Sequence, residues 1–520
     1  MPSLFAVLGL VIVWAGVRLW DRGKRKQAEL PSRGFGPTVF SSYLASLANF
    51  RDTKRSLHAF SNQYGDRRFT FPLLGEWFVM CKSREHAREH SNIAEEVLSM
   101  EAAVEKLLQS RYTVGEQFCS ETYHIPAIKT SLNINLASKL PEMLDEIARA
   151  YDEDVDTCIG DDWTPLWAPG VCTSLIARVS NRVFVGEKLC RNRHYRKLVE
   201  GFSDTIIRGG VLHACMPRFF RPFAGRLFRF IFGHHRRMVR LLSAEIVERQ
   251  NNRATGKVQR NPNDMLEWLI EQPCDGPAHP EHTVESLAMR MLNVNFVALH
   301  TTTKTFIHVL YDLAARPEYL PILRDEAQSL LDPSNLASWT KESLARCIKL
   351  DSFVKESLRL NGPGPIWMPR LPTAEFRFSD GTVVWPGNLV AIAITAIHED
   401  EVNYAHAKEF DGLRFVKMAG ICAQEPDSDV GPLQADPELK WEHRLTGTSP
   451  TFLAFGSGRH ICPGRFFASL ELKSLLAGLI LRYDVRMADE GVRPPDRLLG
   501  PVSTPAQAKV LFRKRQPKDC

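Results

Sequence analysis

The longest uninterrupted helical pattern in the chain runs from Thr283 to Ala315, a segment that contains neither proline nor glycine. Thr283 is a typical helix N-cap residue, and Pro317 prevents the helix from continuing. The pattern predicts a helix of about 33 residues, roughly 50 Å long, which must run through the core of a globular domain. A buried stripe is expected from its apolar residues Leu287, Met291, Val294, Ala298, Phe306 and Leu310.

Short apolar stretches separated by turn residues follow this helix. Leu389–Ile394 is apolar throughout and predicts a strand, and Gly381 and Gly387 mark turns before it. Upstream of the strand, apolar and aromatic residues alternate with other residues at Phe376, Phe378, Val383 and Val384. The pattern therefore predicts a β-rich region after the long helix.

The first residues form a separate apolar segment. Residues 4–17 carry no charge, Arg18 interrupts the segment, and a basic cluster from Arg22 to Lys26 closes it. About 17–19 residues can span a bilayer if Arg18 snorkels, and the basic cluster predicts a cytosolic C-terminal side. We therefore expect an uncleaved transmembrane anchor over residues 1–21 and a basic, proline-containing hinge over residues 22–37. The alternative is a cleaved signal peptide, although no basic stretch precedes the apolar one.

A second membrane contact is predicted less clearly. Arginine and phenylalanine are interleaved over residues 218–232, which suits a segment that lies in the membrane interface. An ordinary helix with one core face and one solvated face would show the same pattern. The sequence favours neither interpretation.

Length and composition indicate one large catalytic domain, residues 38–520, behind the predicted anchor. The 520 residues are 44% hydrophobic and 24% charged, and no linker, low-complexity tract or repeat divides them. A net charge of +6, from 66 basic and 60 acidic residues, does not indicate nucleic-acid binding. The 11 cysteines form no Cys-x-x-Cys pair, so neither a disulfide framework nor a zinc site is expected.

The segment that carries the clearest chemistry is Phe455–Gly464, with the sequence Phe-Gly-Ser-Gly-Arg-His-Ile-Cys-Pro-Gly. It places Cys462 in a glycine-rich loop just before an apolar helical run. A cysteine ligates a metal as thiolate, which positive charge, backbone N–H groups and the metal itself stabilise. The loop offers Arg459 and His460, glycines that allow close approach to a flat cofactor, and a helix N-terminus near Arg465. A structural cysteine in a turn is the alternative interpretation.

This segment resembles the haem-binding loop of the cytochrome P450 superfamily, the haem-thiolate monooxygenases. The resemblance covers about residues 35–512, with dense motifs from residue 283 onward. It implies a mainly α fold with a small β-rich lobe, in which haem b lies between the long central helix and the cysteine loop. It further implies that Cys462 is the axial iron ligand and that other residues of the loop contact the haem, namely Phe455, Gly458 and His460.

Within the long helix, Ala298–Thr301 resembles the family's oxygen-binding segment. Thr301 stands at the position of the proton-delivering threonine, and Ala298 at that of a small residue beside the haem. His300 stands where the family usually has an acid. It is either a second proton-transfer group or a residue that points away from the haem and bonds within the protein. The resemblance also implies a substrate pocket lined by Phe296, Val297, Leu299, Ile366 and Trp367.

Glu356 and Arg359 lie three residues apart on a predicted helix, so their side chains share one face and can pair. The spacing resembles the Glu-x-x-Arg motif of the family. Arg414 resembles the arginine that joins this pair in a buried ionic triad. The triad is expected to fix the chain near the haem and to take no part in the chemistry.

The resemblance also implies residues that bind the haem propionates. Arg370 matches an arginine with this role, because a guanidinium can pair bidentately with a carboxylate. A tryptophan-x-x-x-arginine pair that usually assists is missing from residues 121–129. Lys129 or His124 would then substitute for it.

The resemblance implies that one oxygen atom of O₂ is inserted into a lipophilic substrate, by hydroxylation, epoxidation or successive oxidation. The chain has no flavin- or nicotinamide-binding fingerprint, so electrons from NADPH must arrive through a partner. We expect an NADPH–cytochrome P450 reductase, with cytochrome b5 as a second donor, at the endoplasmic reticulum membrane. An Ala-x-His-Thr-Thr sequence is common among fungal members that oxidise terpenoids. A terpenoid or other fungal secondary metabolite is therefore the first expectation, before a steroid or a fatty acid.

Two other functions stay open. A thiolate-haem isomerase or dehydratase would rearrange a peroxide without a reductase, although it would have little use for Thr301. A membrane-bound haem sensor or carrier would bind haem without turnover. Dependence on NADPH and coupled oxygen consumption separate these functions from a monooxygenase.

Overall fold

The computed structural model describes residues 39–73, 76–115, 122–216, 219–272, 283–421, 440–489, 491–499 and 502–515. The predicted anchor and hinge, residues 1–37, lie outside these ranges. Within the described ranges no helix has both the length and the apolar character that crossing a bilayer requires.

Helices dominate the described chain, as the mainly α prediction requires. The helices before residue 283 are α1 (Val39–Arg51), α2 (Thr53–Tyr64), α3 (Arg84–Asn92), α4 (Met100–Leu108), α5 (Ser110–Thr113), α6 (His124–Ala127), α7 (Asn133–Asp154), α8 (Ala168–Cys190), α9 (Arg193–Cys215), α10 (Arg221–Phe232), α11 (His234–Ala254) and α12 (Met265–Glu271). Those after it are α13 (Val284–Ala314), α14 (Tyr319–Leu330), α15 (Lys341–Arg346), α16 (Ile348–Leu360), α17 (Ile394–His398), α18 (Arg414–Met418) and α19 (Arg465–Arg482).

The strands are short and form small sheets. They are β1 (Phe69–Leu73), β2 (Glu76–Cys81), β3 (Leu98–Ser99), β4 (Thr164–Trp167), β5 (Ile366–Pro372), β6 (Phe376–Arg377), β7 (Val383–Val384), β8 (Leu389–Ala393), β9 (Tyr483–Arg486), β10 (Arg497–Leu499), β11 (Val502–Thr504) and β12 (Lys509–Lys514). The largest sheet has the order β1-β2-β8-β5-β3 and is antiparallel except where β2 runs parallel to β8. A second sheet has the order β4-β12-β9, and β6–β7 and β10–β11 are separate two-stranded pairs.

Helix α13 is the predicted central helix. It has 31 residues, and the Thr283 hydroxyl accepts the N–H of Ser286 over 3.2 Å at its start. The predicted extent of about 33 residues was slightly too long, because Thr283 and Ala315 are the cap residues. Nearly every residue of α13 is buried or half-buried. The helix therefore runs through the core.

The main apolar core lies among α7, α8, α13, α16 and α19. Two smaller clusters cover the two faces of the five-stranded sheet: Phe78 and Met80 of β2 belong to one, and Val79 and Cys81 to the other. Because successive strand residues point to opposite faces, this sheet is buried on both sides. It is a rigid support for the residues of β5 described below.

Candidate functional site

Cys462 lies between a single helical turn, Gly458–His460, and the start of α19. Its N–H donates to the carbonyl of Phe455 over 2.8 Å, which closes the loop. Burial raises the pKa of the Cys462 thiol above its ordinary value, and the backbone N–H groups of Gly464 and Arg465 oppose that shift. The N-terminus of α19 thus favours a thiolate at this sulfur, and a bound cation would complete the deprotonation.

The glycines of this loop allow it to pack closely against α3. Gly456 and Gly458 have φ angles of +71° and +64°, in the region that favours glycine. A Cβ at Gly458 would lie 2.2 Å from the carbonyl oxygen of Ser91. Packing against α3 therefore requires the glycine at 458, and its contact with a cofactor stays a prediction. Phe455 is half-buried and packs against the main core.

Arg370 is a buried cation with unused hydrogen-bonding capacity. Its side chain is fully enclosed, with 1% of the residue exposed. Nη1 donates to the carbonyl of Pro369 over 3.1 Å, whereas Nη2 has no hydrogen-bond partner among the described residues. Burial lowers the pKa of Arg370 to about 10, so the side chain stays charged at neutral pH. A buried guanidinium of this kind is costly without an anionic partner.

Two histidines lie beside Arg370. The Nε2 of His90 lies 2.8 Å from the carbonyl of Met368, and its Nδ1 has no partner among the described residues. Burial, followed by the charge of Arg370, lowers the pKa of His90 to about 3. The same two causes, in the same order, lower the pKa of His460, whose Nε2 lies 3.2 Å from the carboxylate of Glu95. We call Arg370, His90 and His460 the basic cluster.

A bulge in β5 directs Arg370 into this cluster. The register between β5 and β8 shifts between Trp367 and Arg370. Within the bulge Met368 has a φ of +53°, which a non-glycine residue rarely adopts. Bulges re-aim side chains and are frequent beside functional sites.

The segment around Lys129 lies next to the basic cluster. Residues Ile128–Leu132 form a π-helical turn that leads into α7, a feature frequent at functional sites. The Nδ2 of Asn133 donates to the carbonyl of Pro463 over 3.3 Å, which ties this turn to the cysteine loop. Lys129 is exposed, and after burial and Arg370 it contributes to the lowered pKa of His460. His124 lies buried in α6, and its role stays a prediction.

The middle of α13 has one open face. Val297 and Thr301 are exposed there, whereas their neighbours along the helix are buried or half-buried. These two residues are one turn apart and share a face. The Thr301 hydroxyl donates to the Val297 carbonyl over 3.0 Å, a bond that loosens a helix locally. The middle of this core helix therefore carries an exposed face with both an apolar and a hydroxyl-bearing side chain.

His300 lies on a different face of α13. Its ring is stacked on that of Phe296, with 6.3 Å between centroids, and it aligns with Lys304. Burial, followed by the charge of Lys304, lowers the pKa of His300 to about 3. His300 is therefore neutral near pH 7, about 100° around the helix from Thr301. Whether it transfers protons or bonds within the protein away from the haem stays a prediction.

The other residues predicted for the pocket are placed differently from one another. Ala298 is half-buried and packs on the main core, and Leu299 is buried within that core at 4% exposure. Ile366 packs against the sheet, and Trp367 is half-buried at the bulge of β5. Contact of Ala298 with the haem, and of Leu299, Ile366 and Trp367 with a substrate, stays a prediction.

The ionic triad joins α16, which carries Glu356 and Arg359, to Arg414 of α18. Both Glu356 oxygens accept hydrogen bonds from Arg359 over 2.8 Å, and Oε1 also accepts one from Arg414 over 3.0 Å. All three side chains are buried. Arg359 further donates to the carbonyls of His398 and Ala407. The triad therefore fastens separate chain segments to α16.

Lys355 is a residue whose role sequence reasoning missed. Its buried Nζ donates to the carbonyls of Glu442, Arg444 and Gly447 over 2.8, 2.7 and 3.2 Å. It also lies over the ring of Phe452, 4.2 Å from the centroid. Lys355 thus holds the chain segment that leads into the cysteine loop. Backbone carbonyls can belong to any residue, so no motif indicates this contact.

Replacing Lys355 with methionine should lower thermal stability and loosen the cysteine loop. The substitution keeps the length of the side chain but leaves buried carbonyls unpaired, at about 1–3 kcal/mol for each unsatisfied group. Thermal unfolding and the retained haem fraction measure the effect. Lys341→Met, at an exposed position of α15, is the matched control. Equal unfolding temperatures of the two variants would contradict the role of Lys355.

Comparison with known proteins agrees with this geometry. A family model described as cytochrome P450 matches residues 171–512. The chain belongs to the cytochrome P450 family. Among curated proteins it is 35% identical to cytochrome P450 monooxygenase 151 of Postia placenta, over 92% of this chain and 93% of that protein. It is 29% identical to cytochrome P450 monooxygenase CYP512U6 of Ganoderma lucidum, over 99% of this chain and 96% of that protein.

A third relative, cytochrome P450 monooxygenase atmQ of Aspergillus flavus, is 29% identical over 99% of this chain and 94% of that protein. The chain is therefore a P450 monooxygenase, an oxidoreductase of the haem-thiolate type. The residues described above fit such a cofactor. Cys462 offers a sulfur at a helix N-terminus, and Arg370 offers an unpartnered buried N–H to a carboxylate.

Proposed function

We propose that this P450 oxidises a lipophilic small molecule, a terpenoid or other secondary metabolite of fungal type, with electrons from NADPH delivered by a membrane-bound reductase. The observation that carries the proposal is the open face of α13, where apolar Val297 and hydroxyl-bearing Thr301 lie one turn apart. An apolar wall with one positioned polar group is the usual form of a small-molecule site.

The bound haem would supply oxygen activation, which a thiolate ligand favours. Cys462 would hold it through sulfur, and Arg370, His460 and Lys129 would hold its carboxylates by charge-assisted hydrogen bonds. Thr301 would hold and pass a proton at Oγ1, because its hydroxyl can exchange the Val297 carbonyl for another acceptor. Val297 and Phe296 would exclude water from the substrate side.

The electron donor we propose is an acidic partner. Arg459 is exposed in the cysteine loop. Complementary charge guides the encounter of redox partners and raises the association rate. An NADPH–cytochrome P450 reductase, with cytochrome b5 as a second donor, would dock on this side.

The membrane contact we propose involves α10. Phe223 is 70%, Phe230 67% and Ile231 58% exposed, whereas Phe228 is half-buried, so α10 has an exposed apolar face. This face supports the interfacial interpretation. Together with the predicted N-terminal anchor, α10 would hold the enzyme on the endoplasmic reticulum membrane, where lipophilic substrates concentrate.

The proposal is tested with Thr301→Ala in a reconstituted assay with reductase and NADPH. The wild-type enzyme should consume NADPH and O₂ in step with product formation. The variant should still bind haem and consume NADPH but release peroxide, with product per NADPH at least roughly tenfold lower, because a positioned proton donor contributes about 10²–10⁴-fold.

Thr302→Ala is the matched control, since Thr302 is buried on another face of α13. Fully coupled turnover in Thr301→Ala would remove Thr301 from the proton path. Product formation without NADPH or reductase would instead support an isomerase or dehydratase.

A further inference from the structure

A cavity among the described residues lies outside the site described above. It has a volume of about 200 Å³ and lies where α9, α10 and α11 meet the end of α5. Its walls combine aromatic and basic side chains, among them Phe202, Arg229, Phe232, His234, His235 and Arg236.

Positive charge in this cavity is not neutralised by acids. None of its described lining residues is acidic. Arg229 donates to the carbonyls of Arg111 and Tyr112 over 2.8 and 3.3 Å, and so bonds no carboxylate there. Arg236 lies over the ring of Phe230, 5.6 Å from the centroid. In the sequence, residues 205–244 contain eight arginines and no aspartate or glutamate.

His234 and His235 add imidazole groups, which can form hydrogen bonds, to the cavity wall. The Nε2 of His235 lies 2.9 Å from the backbone carbonyl of Glu285, at the start of α13. His234 stacks on Phe232. The cavity therefore lies where the start of α11 contacts the start of α13. Guanidinium and imidazole groups line its walls.

An aromatic pair connects the cavity to the open face of α13. Phe202 is 1% exposed, and its ring packs edge-on against that of Phe296, with centroids 6.2 Å apart. Phe296 precedes Val297, which lies on the open face. These packed rings therefore link the wall of the cavity to the residue that precedes the open face.

We propose that this cavity is an anion site for the acidic head, a carboxylate or phosphate, of an amphiphilic ligand whose apolar part packs on the exposed ring of Phe232 in the cavity wall. Guanidinium groups bind carboxylate and phosphate through paired, charge-assisted hydrogen bonds. The inference rests on the proposed function and narrows it, because it makes the preferred ligand a lipophilic acid.

The test uses the full-length, haem-loaded enzyme and two probes, dansyl-labelled undecanoic acid and its methyl ester. Each sample is first checked for the red-shifted Soret band of the reduced, carbon-monoxide-bound form. If the band is absent, the proposed function has failed. Binding of the two probes can still be measured by dansyl fluorescence, so the two failures are distinguishable. The acid should bind about tenfold more tightly than the ester.

Arg236→Gln should abolish this preference, because Arg236 lines the cavity. Arg240→Gln, which removes the same charge from an exposed position of α11 outside the cavity, should retain it. Equal binding of acid and ester by the wild-type enzyme, or equal losses in both variants, would overturn the anion site.

A bilayer lipid could present the same chemistry as a free acid. Sedimentation with vesicles of phosphatidylcholine alone, or with added phosphatidylserine, distinguishes the two sources. If Arg236→Gln removes the acid preference and also reduces binding to the anionic vesicles, the head group belongs to a lipid. If it removes only the acid preference, the head group belongs to a free ligand.

Discussion

Cys462→Ala should leave a folded protein that lacks the red-shifted Soret band of its reduced, carbon-monoxide-bound form and has no monooxygenase activity. The sulfur is the proposed iron ligand, and α19 directs the N–H groups of Gly464 and Arg465 at it. No other side chain of the loop can supply thiolate. The difference spectrum and product formation with reductase and NADPH are the measurements.

Cys347→Ala provides the control, since Cys347 is buried in the main core away from the cysteine loop. The Cys347→Ala variant should keep the Soret band and should differ from the wild-type enzyme only by a lower free energy of unfolding. Circular dichroism separates loss of the ligand from loss of the fold. A Cys462→Ala protein that kept the thiolate band would exclude Cys462 as the ligand.

Glu356→Ala should have the next largest effect, on folding. The substitution leaves Arg359 and Arg414 as buried cations without their carboxylate. Breaking a buried ion pair from one side costs about 3–5 kcal/mol, a large part of the total stability of an ordinary domain. Little haem-loaded protein should be recovered, and any that is recovered should unfold at a much lower temperature.

Glu409→Ala is the comparison within the same region. The Glu409 side chain is 77% exposed, and its backbone carbonyl, which accepts from Arg414 over 2.9 Å, is unchanged by the substitution. It should alter the free energy of unfolding by about 0.5 kcal/mol or less. A Glu356→Ala enzyme as stable as Glu409→Ala would show that the triad does not fasten the chain.

Sequence was a good guide wherever the structural cause is local. Thr283 and Pro317 bound the central helix because capping and helix termination depend on neighbouring residues. The three-residue spacing of Glu356 and Arg359 places both on one face of α16, where they pair. The mainly α fold with a small β-rich lobe, which the family resemblance implied, is confirmed as well.

Sequence was a poor guide to contacts that form only in the folded chain. Lys355 binds backbone carbonyls of residues 442–447, and His90 meets Met368 across 278 positions. The face on which His300 lies depends on the packing of α13 against α9. The cavity at α10 and α11 is likewise formed by separate helices, so the local run of arginine and phenylalanine, which left an interfacial segment and an ordinary helix both open, could not predict it.

The parallel pairing of β2 with β8 has a consequence for biosynthesis. Phe78 of β2 pairs with Leu389 of β8. Trp167 of β4 pairs with Lys509 of β12, which lies near the C-terminal end of the sequence. At about 5–20 residues per second, a ribosome needs roughly 15 to 60 s after making β2 before it makes β8. During that interval one edge of the nascent β2 is unpaired, and an unpaired strand edge is prone to aggregation. β4 obtains its partner only in the last moments of translation.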